Sequence, residues 1–280
     1  MDAGSSNRVW LITGATSGFG RALAEAAVRA GDVVIAAGRR VERLDDLVSA
    51  HPDQVEAVHL DVTDSASGVA LIDDVVARYG RIDVLVNNAG RTQVGALEET
   101  TDEELRYLFE LHFFGPAALT RAVLPHMRRR GGGAVVQMSS VGGQVTAPGF
   151  GAYSATKFAL EGLTQTLAQE VDFGVRFLIV EPGAFRTSLF DPGAAYQSHA
   201  MSEYEATVGP TRRYLSSAGT QPGDPAKAAQ AILTALDAPT PPLRLPLGGD
   251  AVDGILERLD LLRAEVREWE TLSRDTDVDE

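Results

Sequence analysis

Short β-rich runs and longer amphipathic runs alternate regularly over the first 180 residues of this 280-residue chain. The run VWLIT at 9–13 is continuously apolar, which is typical of a strand buried on both faces. Because strands that alternate with helices form right-handed βαβ units, the order predicts an α/β fold with helices on both faces of a parallel sheet. The predicted strands are 9–13, 33–38, 55–62, 82–88, 134–140, 175–182 and 243–248, and the predicted helices are 21–31, 41–50, 65–79, 101–130, 152–172, 225–238 and 250–272.

The alternation stops after Pro182, and residues 183–223 are rich in Gly, Pro, Ser, Tyr and Ala. An irregular stretch of this length within a compact domain is usually functional, so we predict a substrate lid there. No change of composition divides the chain. We therefore expect one domain over 1–280, with a core over about 8–250 and a C-terminal helix and acidic tail over about 250–280.

The amino-acid composition limits the classes of partner and of chemistry that are open to the protein. A net charge of −14, from 25 Lys and Arg against 39 Asp and Glu, disfavours binding to nucleic acid or to anionic membranes. The chain has no cysteine, which excludes disulfides and thiol catalysis, and no histidines and acids stand at the spacing of metal ligands. The N-terminus lacks a secretory pattern, and no run approaches the ~20 apolar residues that span a bilayer. We expect a cytoplasmic protein.

A glycine-rich turn, TGATSGFG at 13–20, stands between the first predicted strand and the first predicted helix. Glycines there let the backbone approach a pyrophosphate, and the N-terminus of the helix offers free N–H groups and a favourable dipole. The spacing is G-x-x-x-G-x-G and not the common G-x-G-x-x-G. The same glycines could form a plain tight turn, but at this junction they predict a dinucleotide site.

The end of the second predicted strand bears on the choice of nucleotide. A site selective for NAD would carry Asp or Glu there to hold the ribose 2′-hydroxyl, and this chain has Gly38 followed by Arg39 and Arg40. The planar guanidinium of Arg39 can pair with a 2′-phosphate. The alternative is a solvated loop with no ligand. We predict NADP(H) as the cofactor.

Tyr153 and Lys157 lie four residues apart at the start of a predicted helix, which places both side chains on one face. A tyrosine phenol titrates near 10, and a neighbouring ammonium favours the phenolate and lowers that pKa. Ser140, at the end of the fifth predicted strand, could donate a hydrogen bond to a substrate carbonyl oxygen. A Y-x-x-x-K pair alone is common on helix surfaces, so the three residues matter only together.

The motifs TGATSGFG, NNAG at 87–90, Ser140, YSATK and EPG-x-x-x-T at 181–187 occur in the order seen in the classical short-chain dehydrogenase/reductase (SDR) family. The chain resembles that family over about residues 8–250. The resemblance implies a single Rossmann-type, doubly wound domain with a seven-stranded parallel sheet. It also implies hydride transfer between a nicotinamide and a carbonyl or alcohol carbon.

The resemblance further implies roles for individual residues. Tyr153 would be the general acid/base, Lys157 would bind the nicotinamide ribose and tune Tyr153, and Ser140 would orient the substrate oxygen. The family's spacing of thirteen residues to the tyrosine favours Ser140 over its neighbour Ser139. The residues expected to contact the cofactor, besides Tyr153 and Lys157, are Gly14, Thr16, Ser17, Gly18, Phe19, Gly20, Arg39, Asp61, Val62, Asn88, Ala89, Gly90, Pro182, Gly183, Phe185 and Thr187.

One position departs from the family pattern. The family usually has Asn in the long fourth helix, where it is thought to hold a water of a proton relay through its backbone carbonyl, and this chain has His112. Because that role belongs to the backbone carbonyl, a different side chain at position 112 does not remove it. Two interpretations of His112 stay open: a ring that only packs beside the relay, or a titratable member of the relay.

The leading functional prediction is an NADP(H)-dependent oxidoreductase that interconverts a ketone or aldehyde and an alcohol, with no metal. The alternatives are a regulatory protein that senses NADP(H) without turnover, an NAD-dependent alcohol dehydrogenase of the same fold, and an epimerase or dehydratase of nucleotide sugars. The short C-terminal region disfavours the last. Against the regulatory alternative, a sensor does not need the phenol of Tyr153.

Apolar side chains and long helices bear on the substrate and on the assembly of the protein. A set of apolar side chains could form a pocket for a hydrophobic carbonyl compound, or could pack the lid on itself. The resemblance implies a homotetramer or homodimer that uses the predicted helices over 101–130 and 152–172, and residues 250–272 could extend that interface or cap the pocket. The candidate pocket residues are Val94, Phe150, Phe185, Leu189, Phe190, Tyr196, Met201 and Tyr204.

Overall fold

A parallel β-sheet forms the centre of the computed structural model, which describes residues 7–188, 195–215 and 219–278. Seven strands form this sheet in the order β3-β2-β1-β4-β6-β7-β9, and every neighbouring pair is parallel. The strands of the described residues are β1 (Val9–Thr13), β2 (Val33–Gly38), β3 (Val55–His59), β4 (Val84–Asn87), β5 (Gln93–Val94), β6 (Gly133–Met138), β7 (Val175–Pro182), β8 (Tyr196–Gln197) and β9 (Arg244–Leu247).

Helices cover both faces of the sheet, as the sequence predicts for a doubly wound fold. Side chains of β1 alternate between the two layers: Trp10 and Ile12 belong to the core under α1 and α8, and Leu11 belongs to the core under α3 and α5. The helices of the described residues are α1 (Gly18–Arg29), α2 (Asp45–Ala50), α3 (Ser65–Tyr79), α4 (Asp102–Phe109), α5 (Gly115–Arg130), α6 (Gly151–Glu170), α7 (Gly209–Leu215), α8 (Pro225–Asp237), α9 (Gly249–Glu268) and α10 (Glu270–Arg274).

The strand order reverses between β1 and β4, the two central neighbours. Ile12 of β1 pairs with Ala36 of β2 on one side and with Val86 of β4 on the other. In open α/β sheets, ligands bind outside the carboxyl ends of the strands at such a reversal. The topology therefore places the ligand site beside the glycine turn that follows β1.

The segment predicted as one helix over 101–130 is helical throughout Asp102–Arg130, but a π-helical turn (Glu110–Phe114) lies between α4 and α5. Pro116 has no N–H to offer the carbonyl four residues back, that of His112, so an unbroken α-helical ladder is not available. Instead, the N–H of Gly115 bonds the carbonyl of Glu110, five residues back. The turn buries His112.

The segment 183–223, predicted as an irregular lid, holds short elements in its described part. β8 pairs with β5, which follows the NNAG turn, and α7 lies further along the chain. Two-residue strands carry too little periodicity to be found in a sequence.

The C-terminal helix α9 begins against the body of the protein and then leaves it. Ala251 and Ile255 are buried, whereas every described residue from Leu256 onward is exposed. Among the helices in the described ranges, none combines the length and the apolar character needed to cross a membrane.

Candidate active site

A cleft of about 580 Å³ opens at the carboxyl ends of the sheet strands. Its walls come from the residues that end or follow β1, β2, β3, β4, β6 and β7, together with the start of α6. The predicted residues that line it are Gly14, Thr16, Ser17, Gly18, Phe19, Arg39, Asp61, Val62, His112, Asn88, Ala89, Gly90, Ser140, Tyr153, Lys157, Pro182, Gly183 and Thr187.

Two of the predicted cofactor residues, Gly20 and Phe185, do not line the cleft. A Cβ at Gly20 would lie 2.5 Å from Nδ2 of Asn88, so this glycine serves the close packing of α1 on the neighbouring turn. Phe185 is buried behind the cleft wall, with its ring centroid 5.1 Å from that of Phe19. Both residues support lining residues from behind.

Close packing and hydrogen bonds between side chains and backbone join the glycine turn to the NNAG turn. Gly14 has a φ of 65°, and a Cβ there would lie 2.8 Å from Cα of Ala89. Oγ1 of Thr13 accepts hydrogen bonds from the N–H groups of Asn88 and Ala89 at 2.9 and 3.1 Å. Nδ2 of Asn88 donates to the carbonyl of Thr13 at 2.8 Å. These contacts fix the floor of the cleft.

The first turn of α1 faces the cleft without a side-chain cap. Its N-cap residue, Ser17, makes no side-chain hydrogen bond to the turn, and Gly18 takes a φ of 55°. The first N–H groups of a helix have no partner within the helix. This arrangement fits the phosphates of a dinucleotide.

Arginines surround the end of β2. A Cβ at Gly38 would lie 2.7 Å from Cγ2 of Thr16, so a side chain at this position would require Thr16 to move. The side chain of Arg39 is 64% exposed, donates to the phenol of Tyr107 at 3.5 Å and lies 4.0 Å from Asp61. Arg40 and Arg43 also line the cleft. Arg43 was not predicted, although the spacing RR-x-x-R could have indicated it.

The structure brings Ser140, Tyr153 and Lys157 together at the inner end of the cleft. The hydroxyl of Ser140 acts on the phenol of Tyr153, whose pKa it lowers, and accepts the N–H of Gly142 at 3.0 Å. Nζ of Lys157 lies 5.7 Å from the centroid of the Tyr153 ring and donates to the carbonyl of Met138 at 2.8 Å. The three side chains therefore form one polar group within reach of a small ligand.

The pKa of Tyr153 differs in direction from the sequence-based prediction. Burial raises the pKa of this phenol, and the hydrogen bond from Ser140 offsets the rise only in part. Burial also lowers the pKa of Lys157 to about 8, with the Glu161 carboxylate acting in the opposite direction. The predicted effect of the ammonium on the phenol does not govern the pKa in this structure, since desolvation is larger for both groups.

His112 is held as a neutral ring. Its Nε2 accepts the backbone N–H of Arg91 at 3.2 Å, so the proton sits on Nδ1 and is donated to Oγ1 of Thr156 at 2.9 Å. Burial and the charges of Lys157 and Arg91 hold the pKa of His112 well below its usual range. The ring meets Tyr153 edge-on with centroids 5.6 Å apart. Of the two interpretations of His112, this geometry favours the packing ring over the titrating group.

A buried ionic cluster that was not predicted lies behind Lys157. Glu161 accepts the hydroxyl of Ser139 at 2.5 Å and pairs with Arg244, which also pairs with Glu181 at 2.7 Å. Burial raises the pKa of Glu161 to about 7. The charge of Glu181 acts in the same direction, whereas the Ser139 hydrogen bond and Arg244 act against it. The sequence contains one signal for Glu161, which follows Lys157 at the same spacing of four residues that separates Lys157 from Tyr153.

Gly143 makes room for this cluster. A Cβ on Gly143 would overlap the carboxylate of Glu161 and would lie 2.6 Å from Oγ of Ser139. A side chain at position 143 would therefore displace Glu161 from its place in this cluster.

Arg91, another lining residue that was not predicted, fastens β8 to the cleft. Its guanidinium lies 4.3 Å from the ring centroid of Tyr107 and 4.5 Å from that of Tyr196. The phenol of Tyr196 donates to Glu104 at 2.7 Å. A cation between two aromatic faces is an attractive contact, so the part of the predicted lid around Tyr196 is attached beside the cleft.

The predicted apolar pocket is only partly present. Val94 packs with Val208 and Leu215 in a small separate core that includes Phe150 and Tyr204. Tyr196 is held by Arg91, and Met201 donates its N–H to Glu99 at 2.7 Å. The described residues thus support the alternative in which this segment packs on itself. Leu189 and Phe190 lie outside the described residues.

The parallel sheet, with a polar cleft where its strand order reverses, is the architecture of a Rossmann-type protein. The family model described as short chain dehydrogenase matches residues 8–196, and the chain belongs to this family of oxidoreductases.

Known proteins resemble the chain over nearly its whole length. Oxidoreductase BOA17 of Botryotinia fuckeliana is 38% identical over 270 residues, covering 95% of this chain and 98% of that protein. The crystal structure of a short-chain dehydrogenase from Streptomyces avermitilis is 64% identical with a TM-score of 0.94, covering 98% of this chain and 100% of that chain. An alcohol dehydrogenase of Thermococcus sibiricus, complexed with 5-hydroxy-NADP, is 28% identical with a TM-score of 0.71, covering 86% and 96%.

Proposed function

We propose that this protein is an NADP(H)-dependent carbonyl reductase or alcohol dehydrogenase. The observation that carries the proposal is the placement of Ser140, Tyr153 and Lys157 at the inner end of the cleft whose outer wall carries Arg39. The uncapped start of α1 and the open glycine turn fit a dinucleotide. A bound nicotinamide would supply or accept the hydride.

The residues of the chain would handle the proton and the substrate oxygen. In reduction, the phenol of Tyr153 donates its proton to the oxygen as negative charge develops there. The hydroxyl of Ser140 donates a second hydrogen bond to the same oxygen. The raised pKa of Tyr153 keeps the phenol protonated at neutral pH, as an acid must be. Oxidation of an alcohol requires the phenolate, so we propose reduction as the favoured direction near neutral pH.

Lys157 would hold the ribose hydroxyls of the nucleotide and supply positive charge beside the phenol. Its ammonium is fixed by the carbonyl of Met138, which sets the direction of the side chain. Because burial lowers the pKa of Lys157 to about 8, the ammonium is lost in mildly alkaline solution. We therefore expect the rate of reduction to fall as the pH rises through this range.

Preference for NADP(H) follows from the arginines at the end of β2. Arg39, Arg40 and Arg43 all line the cleft, and Gly38 supplies no carboxylate for a ribose hydroxyl. An arginine fork binds a phosphate by two charge-assisted hydrogen bonds. The Thermococcus sibiricus relative was crystallised with an NADP derivative, which agrees with this proposal.

We propose an apolar carbonyl compound as the substrate. The ring of Phe150 lies 6.0 Å from that of Tyr153, and Phe150 belongs to the small apolar core around Val94. The proton donor thus lies beside an apolar surface.

Replacement of one phenol tests the function. Tyr153→Phe removes the proton donor, so NADPH consumption with a panel of hydrophobic ketones should fall on the order of 10²- to 10⁴-fold. NADPH should still bind, as measured by the quenching of protein fluorescence. Tyr79→Phe removes a phenol from the exposed end of α3 and should act as wild type. Wild-type turnover by Tyr153→Phe would refute the proposal.

A further inference from the structure

The arm formed by residues 256–268 of α9 stands away from the body of the protein. Ala251 and Ile255 anchor the start of the helix, and every described side chain beyond them is exposed. At 1.5 Å per residue, the arm extends for roughly 20 Å. A helix in this position has to be stabilised by something other than its own domain.

An apolar stripe runs the length of α9 and reaches the turn that ends it. Its members follow each other at alternate spacings of three and four residues, which is the pattern of a coiled-coil seam. Single exposed apolar residues need no explanation, but a continuous stripe marks an interaction surface. The stripe consists of Val252, Ile255, Leu259, Leu262, Val266 and Trp269, of which all but Ile255 are exposed.

We propose that α9 pairs with α9 of a second copy of this chain as an antiparallel two-helix coiled coil. This inference does not depend on the proposed function. In such a pair, the two helices cross at Asp260 and Leu261, where Leu259 of each copy lies against Leu262 of the other. Val252 lies against Trp269 at each end of the seam.

The charges beside the stripe favour a second copy as the partner and an antiparallel orientation of the two helices. Arg258 and Glu265 flank the seam on the same side, at positions that face each other in the antiparallel pair. The twofold symmetry gives two such Arg–Glu contacts. A parallel pair would instead set Arg258 beside Arg263 and Glu265 beside Glu270, which are like charges.

Other occupants fit this surface less well. Residues 257–280 contain nine acids and four arginines, so an anionic membrane would repel this part of the chain. The described part of the chain does not cover the stripe itself, since its members from Leu259 onward are exposed. A second copy supplies both an apolar seam and the opposite charges.

Sedimentation of the full-length protein at micromolar concentration tests the pairing. The double variant Leu259→Glu/Leu262→Glu should halve the number of subunits in the particle. The test measures the change in the number of subunits and not the number itself, because the exposed side chains of Phe114 and Phe158 could form a separate interface. Sedimentation identical to the wild type would refute the proposal.

Charge reversal tests the direction. Arg258→Glu and Glu265→Arg should each weaken self-association by about tenfold, because each change affects two contacts. The combined variant should recover wild-type affinity. Arg267→Glu and Glu257→Arg make the same charge changes on the outward side of α9 and should have no effect. Tighter association of Arg258→Glu, or a combined variant as weak as the single ones, would rule out the antiparallel pair.

Discussion

The carboxylate of Glu161 lies one helical turn along α6 from Lys157 and raises the pKa of its ammonium, against the effect of burial. This carboxylate is itself buried between Ser139 and Arg244. The protonation of Lys157, beside Tyr153, therefore depends on a group that does not line the cleft.

Glu161→Gln should move the alkaline limit of activity to lower pH. Loss of the carboxylate removes the charge that opposes desolvation, so Lys157 loses its proton at a pH lower by about one unit. The measurement is kcat/KM for ketone reduction between about pH 6 and pH 10. Glu170→Gln, at the exposed end of α6, serves as the matched control. If the alkaline limb of the kcat/KM profile of Glu161→Gln stayed at the wild-type pH, Glu161 would not act on Lys157.

His112→Asn should leave the shape of the pH–activity profile unchanged between about pH 6 and pH 7. The wild-type ring is neutral there already, because its pKa is held well below the usual value of 6.5. Asparagine can replace the hydrogen bond to Thr156 but not the shape of the ring, so the rate can fall without a new inflection. A profile that gains or loses an inflection near pH 6.5 would assign His112 to the relay.

The same substitution should flatten the dependence of stability on pH. Below pH 6.5 the unfolded chain binds a proton on His112 that the folded chain does not bind, so the free energy of unfolding falls as the pH falls. The slope is at most about 1.4 kcal/mol per pH unit. Urea unfolding at neutral and acidic pH should show a smaller loss in His112→Asn than in wild type. His199→Asn, at an exposed histidine, should keep the wild-type loss.

Arg39→Asp should weaken NADPH binding and improve the use of NADH. One charge-assisted contact to a phosphate is lost, which corresponds to roughly 10- to 100-fold in Kd, and the new carboxylate can accept the ribose hydroxyl. The ratio of kcat/KM for the two cofactors is the measurement. Arg29→Asp, at the far end of α1, should keep the wild-type ratio. A wild type that already prefers NADH would contradict the assignment of Arg39.

Ser140→Ala should lower the catalytic rate, whereas Ser139→Ala should lower the stability of the fold. Ser140 bonds the phenol of Tyr153, so its loss should lower kcat on the order of 10²-fold and leave the affinity for NADPH unchanged. Ser139 bonds the buried Glu161, so its loss should lower the free energy of unfolding by about 1–3 kcal/mol. Steady-state kinetics and urea unfolding on both variants make the comparison. The reverse outcome would exchange the two roles.

The sequence was sufficient where local pattern decides position. Glycines and polar residues that follow buried strands lie at one edge of a parallel sheet, which is why most of the predicted site residues line one cleft. The π-helical turn depends on the missing N–H of Pro116, which an apolar period does not record. The cluster of Glu161 with Arg244 joins residues 83 positions apart, and no local pattern relates them. The pKa of Tyr153 depends on burial, which only the folded chain defines.

The contact between Gly143 and Glu161 also limits the order in which these positions could have changed during descent. A larger residue at 143 would overlap the carboxylate of Glu161 in its present position, so we expect that glycine at 143 preceded the glutamate. Loss of the glutamate releases the glycine, whereas loss of the glycine first displaces the glutamate. Among related chains, an acid at 161 should therefore occur with glycine at 143, while glycine at 143 should also occur without the acid.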